Sequence, residues 1–267
     1  MSNIQYPISN KRVALVLGSG GARGLAHIGA IEALEERGYT ITSIAGCSMG
    51  SIIAGMYAAG QLKEAKEWFL SVDKQLILRM MDINLLSGNS LVKGQRIIEE
   101  LQKVVPDRPM EKLNIPCTIV ASDIMNTEEV IFRSGSLFEA VRASISIPLF
   151  FEPVKQGKRL LIDGGILNPL PLHVVQRTEG DILVAVDISG KDGIGLDSRL
   201  NFISILDRMS DMQIQQNTLL ALRLTPPDVH AVMRQYAYNT FDFDKAEQII
   251  ADGKRIMNEA LDRYEKN

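Results

Sequence analysis

The sequence is poor in the residues that many mechanisms draw on. Its 267 residues include two cysteines, three histidines and one tryptophan. Cys47 and Cys117 can neither staple a disulfide scaffold nor fill a four-ligand zinc site, and the scarcity of histidine (His27, His173, His230) restricts any chemistry that turns on imidazole. An excess of charge of one sign is missing too. With 29 Lys plus Arg against 32 Asp plus Glu, the formal net charge is −3, and no basic block stands out, so a nucleic-acid partner is not expected. The N-terminal Met1-Ser2-Asn3-Ile4 lacks both a basic region before an apolar core and a Gly at position 2, so neither secretion nor myristoylation is signalled and a cytoplasmic location is expected. No convincing membrane span is present. The one uncharged stretch, Ile44 to Gly60 with its Gly46-x-x-x-Gly50 spacing, is built from Gly, Ala and Ser and reads as a buried helix packed by small residues.

What is present is an apolar, patterned chain, 46% hydrophobic and 23% charged, which marks a globular protein. Arg12 to Leu17 and Ile41 to Ala45 read as strands. Each is followed by helical spacing, over Ala22 to Arg37 and Ser48 to Ala59. This alternation implies parallel strands covered on both faces, hence an α/β fold. Leu62 to Leu86 is amphipathic and reads either as a core-facing helix pair or, with Trp68 to Met81, as a lid or membrane-facing surface. Further helices are expected over Lys93 to Val105, Phe138 to Ser144, Leu200 to Thr218 and Asp244 to Tyr264. In the third of these, Phe202, Ile205, Leu206, Met209, Met212 and Ile214 form the apolar side. Strands are expected over Ile115 to Asp123 and Val130 to Arg133, which could pair as a hairpin, and over Arg159 to Ile162 and Asp181 to Ile188. Leu219 to Leu224 is expected as an edge strand stopped by Pro226-Pro227. No repeat or linker appears, so a single domain over 1–267 with a flexible 1–10 is the economical organisation.

Two local motifs and one distant carboxylate carry the chemistry. Gly46-Cys47-Ser48-Met49-Gly50 fits G-x-S-x-G between a strand and a helix, the context of a nucleophile elbow. There the flanking small residues let backbones cross, and the turn lifts the Ser48 hydroxyl above the sheet at a positive helix end, beside the Met49 N–H. Gly18-Ser19-Gly20-Gly21-Ala22-Arg23-Gly24 follows the first strand. As a dinucleotide fingerprint it fails, because Arg23 stands where a third Gly is wanted and no acidic residue ends the second strand. It also lacks the Lys of a phosphate loop. What remains is a nest of N–H groups suited to an ester oxyanion, with a merely tight turn as the bland alternative. Neither His173 nor His230 is well placed to activate Ser48. Asp163, ending a strand before Gly164-Gly165, is a simpler base, provided that an apolar cleft raises its pKa.

Together with Ala143-Ser144-Ile145-Ser146-Ile147-Pro148, Phe151 and Pro153, and with Asn168-Pro169 after Asp163-Gly164-Gly165, these motifs resemble the patatin-like phospholipases, and within them the bacterial subgroup related to the catalytic domain of neuropathy target esterase. Pro226 and Phe243-Asp244-Lys245-Ala246-Glu247, leading to Gly253, are similar to that subgroup as well. The resemblance implies a three-layer patatin-like α/β fold with a mostly parallel central sheet flanked by helices. It also implies an acyl hydrolase working on phospholipids, lysophospholipids or other lipid esters with no metal and no cofactor. Ser48 would be the nucleophile and Asp163 its base. The N–H groups of Gly20, Gly21 and Ala22 would form the oxyanion hole, and the Arg23 side chain would hold the loop. Gly46, Met49, Gly50, Gly164 and Gly165 would support the site. Ser19 departs from the family's usual G-G-G-G start. Peripheral contact with the inner face of a membrane is expected on this reading; acyl transfer to another acceptor, or a lipid sensor with little turnover, are the alternatives.

Overall fold

The computed structural model describes residues 11–72, 94–148, 150–191 and 202–266. The expected flexible 1–10 segment and the Leu76 to Met81 part of the amphipathic region lie outside them. Strand β1 (Arg12–Leu17) enters a 3-10 turn (Gly21–Leu25) and helix α1 (Ala26–Glu36), and β2 (Thr40–Cys47) enters α2 (Met49–Ala58). Helices α3 (Leu62–Ser71) and α4 (Gln95–Val104) precede β3 (Cys117–Asp123), β4 (Glu128–Phe132) and α5 (Leu137–Ser144). After β5 (Val154–Gln156), β6 (Arg159–Asp163) and β7 (Ile182–Gly190) come the long helix α6 (Phe202–Leu224), β8 (Val229–Arg234) and α7 (Ala246–Glu265).

One sheet organises the chain, in the order β5-β6-β3-β2-β1-β7-β8, with β4 also paired to β3. Strands β3, β2, β1, β7 and β8 run parallel; β4 and β6 lie antiparallel to β3, and β5 antiparallel to β6. The central strands β1, β2, β3 and β7 are almost entirely buried because both faces are covered. Val13, Leu15 and Leu17 face α1, α2 and α7, whereas Ala14 and Val16 face the segment around Leu170 to Val175 together with α6. This makes three layers. Each fully buried Leu or Ile contributes about 1.5–3 kcal/mol relative to exposure, so the larger of the two cores dominates.

The expected strand at Leu219 to Leu224 is instead the end of α6. Leu, Ala and Arg are strong helix formers, and nothing breaks the helix before Pro226. That edge of the sheet is formed by β8, whose burial alternates as a half-covered strand requires, and His230 lies on it. The apolar side expected for this helix does not seal against the core: Ile205, Met209 and Met212 are exposed. Among the described residues no helix is long and apolar enough to cross a membrane.

Candidate active site

The site forms where β1, β2 and β6 end. Ser48 is buried between β2 and α2 with φ 55° and ψ −123°, a backbone conformation that costs a non-glycine residue about 1–3 kcal/mol. The neighbouring glycines make it attainable. A Cβ on Gly46 would stand 2.2 Å from the Gly50 carbonyl oxygen, and one on Gly50 2.3 Å from that of Leu17. These contacts are with backbone held in helix α2 and in strand β1. Gly50→Ala is therefore expected to destabilise the fold by about 4 kcal/mol or more, a drop in melting temperature of roughly 10 °C in a thermal scan.

The Ser48 hydroxyl donates to Asp163 Oδ2 at 2.5 Å, across 115 residues of sequence. Asp163 ends β6 opposite Ala121 of β3. Its Oδ1 accepts the Gly165 N–H at 2.7 Å, which closes a 3-10 turn over Gly164–Ile166. Burial pushes the Asp163 carboxyl up to about 6, while the hydrogen bonds from Ser48 and Gly165 pull the other way. Gly164 and Gly165 allow this turn to sit close to its neighbours, since a Cβ would meet the Val120 carbonyl oxygen at 2.5 Å in the first case and Ser19 Oγ at 2.8 Å in the second. Burial also pushes the Cys47 thiol well above its usual range, which leaves it an inert filler under the elbow.

The glycine loop lies beside Ser48. The Gly18 N–H donates to the Val186 carbonyl at 3.0 Å and the Ser19 N–H to the Pro169 carbonyl at 2.9 Å. Gly20 and Gly21 donate to no acceptor among the described residues. The Ala22 N–H does not belong with them: it is committed to the Thr240 carbonyl at 2.8 Å, which removes it as an oxyanion donor in this arrangement. Gly21 takes φ +59°, and a Cβ there would strike Thr240. Arg23 is buried and donates from Nε to the Gly20 carbonyl at 3.0 Å and from Nη1 to the Gln235 carbonyl. Its guanidinium thus ties the loop to the chain beyond β8.

None of the histidines bonds to Ser48. His27 Nε2 meets the Gly18 carbonyl at 2.8 Å, and burial lowers its pKa to about 4, so it is a neutral donor to the loop. His173 sits 3.1 Å from Glu129, and His230 3.5 Å from Asp187. Ser48 instead opens onto two small pockets. One, of about 80 Å³, is apolar and is walled by Met49, Ile52, Trp68, Phe69, Phe151 and Phe243, among others. Trp68 and Phe69 pack edge to face within that wall, 4.8 Å between ring centres. The other, of about 70 Å³, adds polar groups from Ser19, Arg23, Asp163, Ser210 and Asp211. Sequence reasoning missed Thr240, Phe241 and Phe243 as lining residues, and it gave Ser144 no role although it quoted the motif that contains it.

An elbow serine bonded to a buried aspartate at the edge of a three-layer α/β sheet, beside a glycine loop, defines the class. The patatin-like phospholipase family matches over residues 15–175, and the chain belongs to that family. It is 44% identical over 184 residues to an uncharacterised NTE family protein of Mycobacterium tuberculosis, an alignment covering 69% of this chain and 51% of that one. It is also 32% identical over 198 residues to patatin-like phospholipase domain-containing protein 6 of Homo sapiens, covering 72% of this chain and 14% of that protein. The chain thus spans about half the length of the mycobacterial relative and a small part of the human one. Among solved structures, VipD from Legionella pneumophila matches with a TM-score of 0.50 at 15% identity, over 96% of this chain and 67% of that one. ExoU in its complex with SpcU from Pseudomonas aeruginosa matches with a TM-score of 0.50 at 15% identity, over 97% and 53%. These structures share the fold.

Proposed function

We propose that this protein is a serine acyl hydrolase that cleaves carboxylic ester bonds of phospholipids or lysophospholipids and releases fatty acid. The observation that carries the reading is the 2.5 Å bond from the Ser48 hydroxyl to buried Asp163 beneath an apolar pocket. Ser48 Oγ attacks the ester carbonyl carbon as Asp163 Oδ2 takes its proton. The carbonyl oxygen gains the negative charge and is met by the N–H groups of Gly20 and Gly21, each such donor being worth about 2.7–4 kcal/mol in a transition state. Collapse of the tetrahedral species breaks the bond to the alcohol, which leaves with the proton held by Asp163. Water then attacks the acyl-serine carbonyl as Asp163 takes its proton, and collapse breaks the bond to Ser48 Oγ, which recovers that proton as the fatty acid leaves. The apolar pocket suits the acyl chain and the more polar one the departing alcohol. The raised pKa of Asp163 supports its role as base, since a carboxyl near 6 accepts a proton more readily than one near 4. On this reading the chain works in the cytoplasm and meets its substrate by peripheral contact with the inner face of a membrane.

The test is fatty acid release from defined lysophospholipids and diacyl phospholipids across acyl lengths, with the purified protein. Ile52 lines the apolar pocket, so Ile52→Phe is expected to lower the ratio of long-chain to short-chain hydrolysis by about tenfold. No release from any of these lipids would refute the reading, and an unchanged ratio would refute the assignment of the pocket.

A further inference from the structure

Helix α5 ends in the Ala143-Ser144-Ile145-Ser146 motif, and this segment bonds to both members of the serine–aspartate pair. The Ser144 hydroxyl, fully buried, accepts the backbone N–H of Ser48 at 2.8 Å. Two residues on, the Ser146 carbonyl accepts the backbone N–H of Asp163 at 2.9 Å. Ser146 is itself held, with its hydroxyl accepting from Arg142 Nη1 at 2.6 Å while Arg142 Nη2 donates to the Glu152 carbonyl at 2.9 Å. The other side of Ser48 is fixed as well. Its carbonyl accepts from the Ser51 N–H at 2.8 Å and from the Ser51 hydroxyl at 2.6 Å.

We infer that Ser144 is a positioning residue for the nucleophile: its hydroxyl pins the peptide group before Ser48 while Ser51 pins the one after it, and the pair of anchors holds the strained backbone that aims Oγ at Asp163. This rests on the serine–aspartate reading above. A backbone at φ 55° persists only where its surroundings over-determine it. The sheet fixes Cys47 and the helix fixes Met49, but the Ser48 N–H lies at the junction and is met by a side chain instead of a ladder partner. Without that acceptor the N–H is buried and unpaired, and a rotation about the Ser48 backbone both relieves the strain and swings Oγ off Asp163. The same segment holds Asp163 through Ser146, so Ser144 acts as one jaw of a clamp whose other jaw is main chain.

The test compares full-length Ser144→Ala with the parent protein by kcat and KM on a short nitrophenyl ester, by the rate of Ser48 labelling with a fluorophosphonate, and by melting temperature. A displaced nucleophile predicts a kcat lower by about 10- to 100-fold with KM within about twofold, and a parallel loss of labelling rate. Ser144→Cys, which keeps a weak acceptor, is expected to fall between the two in both readouts. Thr218→Ala removes another buried hydroxyl, 3.3 Å from Ser189 and outside the pocket walls; it serves as the reference for destabilisation alone and should lose little kcat. A Ser144→Ala kcat within about twofold of the parent overturns the inference, as does an equal kcat loss in Thr218→Ala at equal loss of stability. Should Ser144→Ala not fold, an unaltered kcat and labelling rate in Ser144→Cys overturns it. Ser48→Ala is run beside them. If it kept the parental rate, the serine–aspartate reading itself would fall, a result distinct from any outcome at position 144.

Discussion

Ser48→Ala is expected to leave no more than about one part in 10⁴ of the parental kcat on a short nitrophenyl ester, and to abolish fluorophosphonate labelling, while melting at close to the parental temperature. The contrast follows from the geometry. Among the described residues the hydroxyl makes one hydrogen bond, to Asp163, and the rest of the elbow is held by backbone contacts at Gly46 and Gly50 that an alanine methyl at 48 leaves alone. The chemistry has no substitute, because no histidine or cysteine is bonded to Asp163 to take over the attack. Cys47 lies close by but is buried and held as a thiol. Hydrolysis by the variant at a rate near that of the parent would exclude Ser48 as the nucleophile.

Asp163→Asn is expected to lower kcat by about 10³-fold or more and, above neutral pH, to make the protein more stable. The carboxyl is raised from 3.8 to about 6 by burial. A carboxyl whose folded-state pKa exceeds its unfolded value contributes stability that is complete below about pH 4 and lost as pH rises through 6, because the folded state then holds an ionised group away from water. A shift of about two units corresponds to roughly 3 kcal/mol. Asparagine offsets part of that gain by giving up one of the two acceptor oxygens that serve Ser48 and Gly165. The variant should therefore melt a few degrees above the parent at pH 8, with the difference vanishing near pH 4. The parent's kcat/KM should climb about tenfold per pH unit below 6 and level off above it, as the free base becomes populated. A rate that stays flat down to pH 4 would exclude Asp163 as the base.

Much of this site was legible because its parts are local. A strand end, a small residue, a serine and a helix start fall within one pentapeptide, and the same is true of the glycine loop and of Asp163-Gly164-Gly165. Strand β1 was bounded correctly from its apolar run and the glycine cluster that ends it. What escaped was of two kinds. Ser144 and Thr240 act on the site through single hydrogen bonds to distant backbone, a relationship with no periodicity or spacing to betray it. The end of α6 was misread because Leu219 to Leu224 is apolar enough for either element, and the proline pair that follows marks a stop without saying what it stops. The commitment of the Ala22 N–H to Thr240 likewise depends on a partner more than 200 residues away in sequence.

That last contact bears on when the protein becomes competent during synthesis. Ser48 and Asp163 emerge from the ribosome early, yet the loop beside them is tied to carbonyls at Gln235 and Thr240, and the apolar pocket borrows a wall from Phe241 and Phe243. A chain cut after α6 would keep Ser48 and Asp163 but lack both tethers of the loop and that wall of the pocket. The loop beside Ser48 and one wall of its pocket thus take their shape from a segment that is made only after both Ser48 and Asp163.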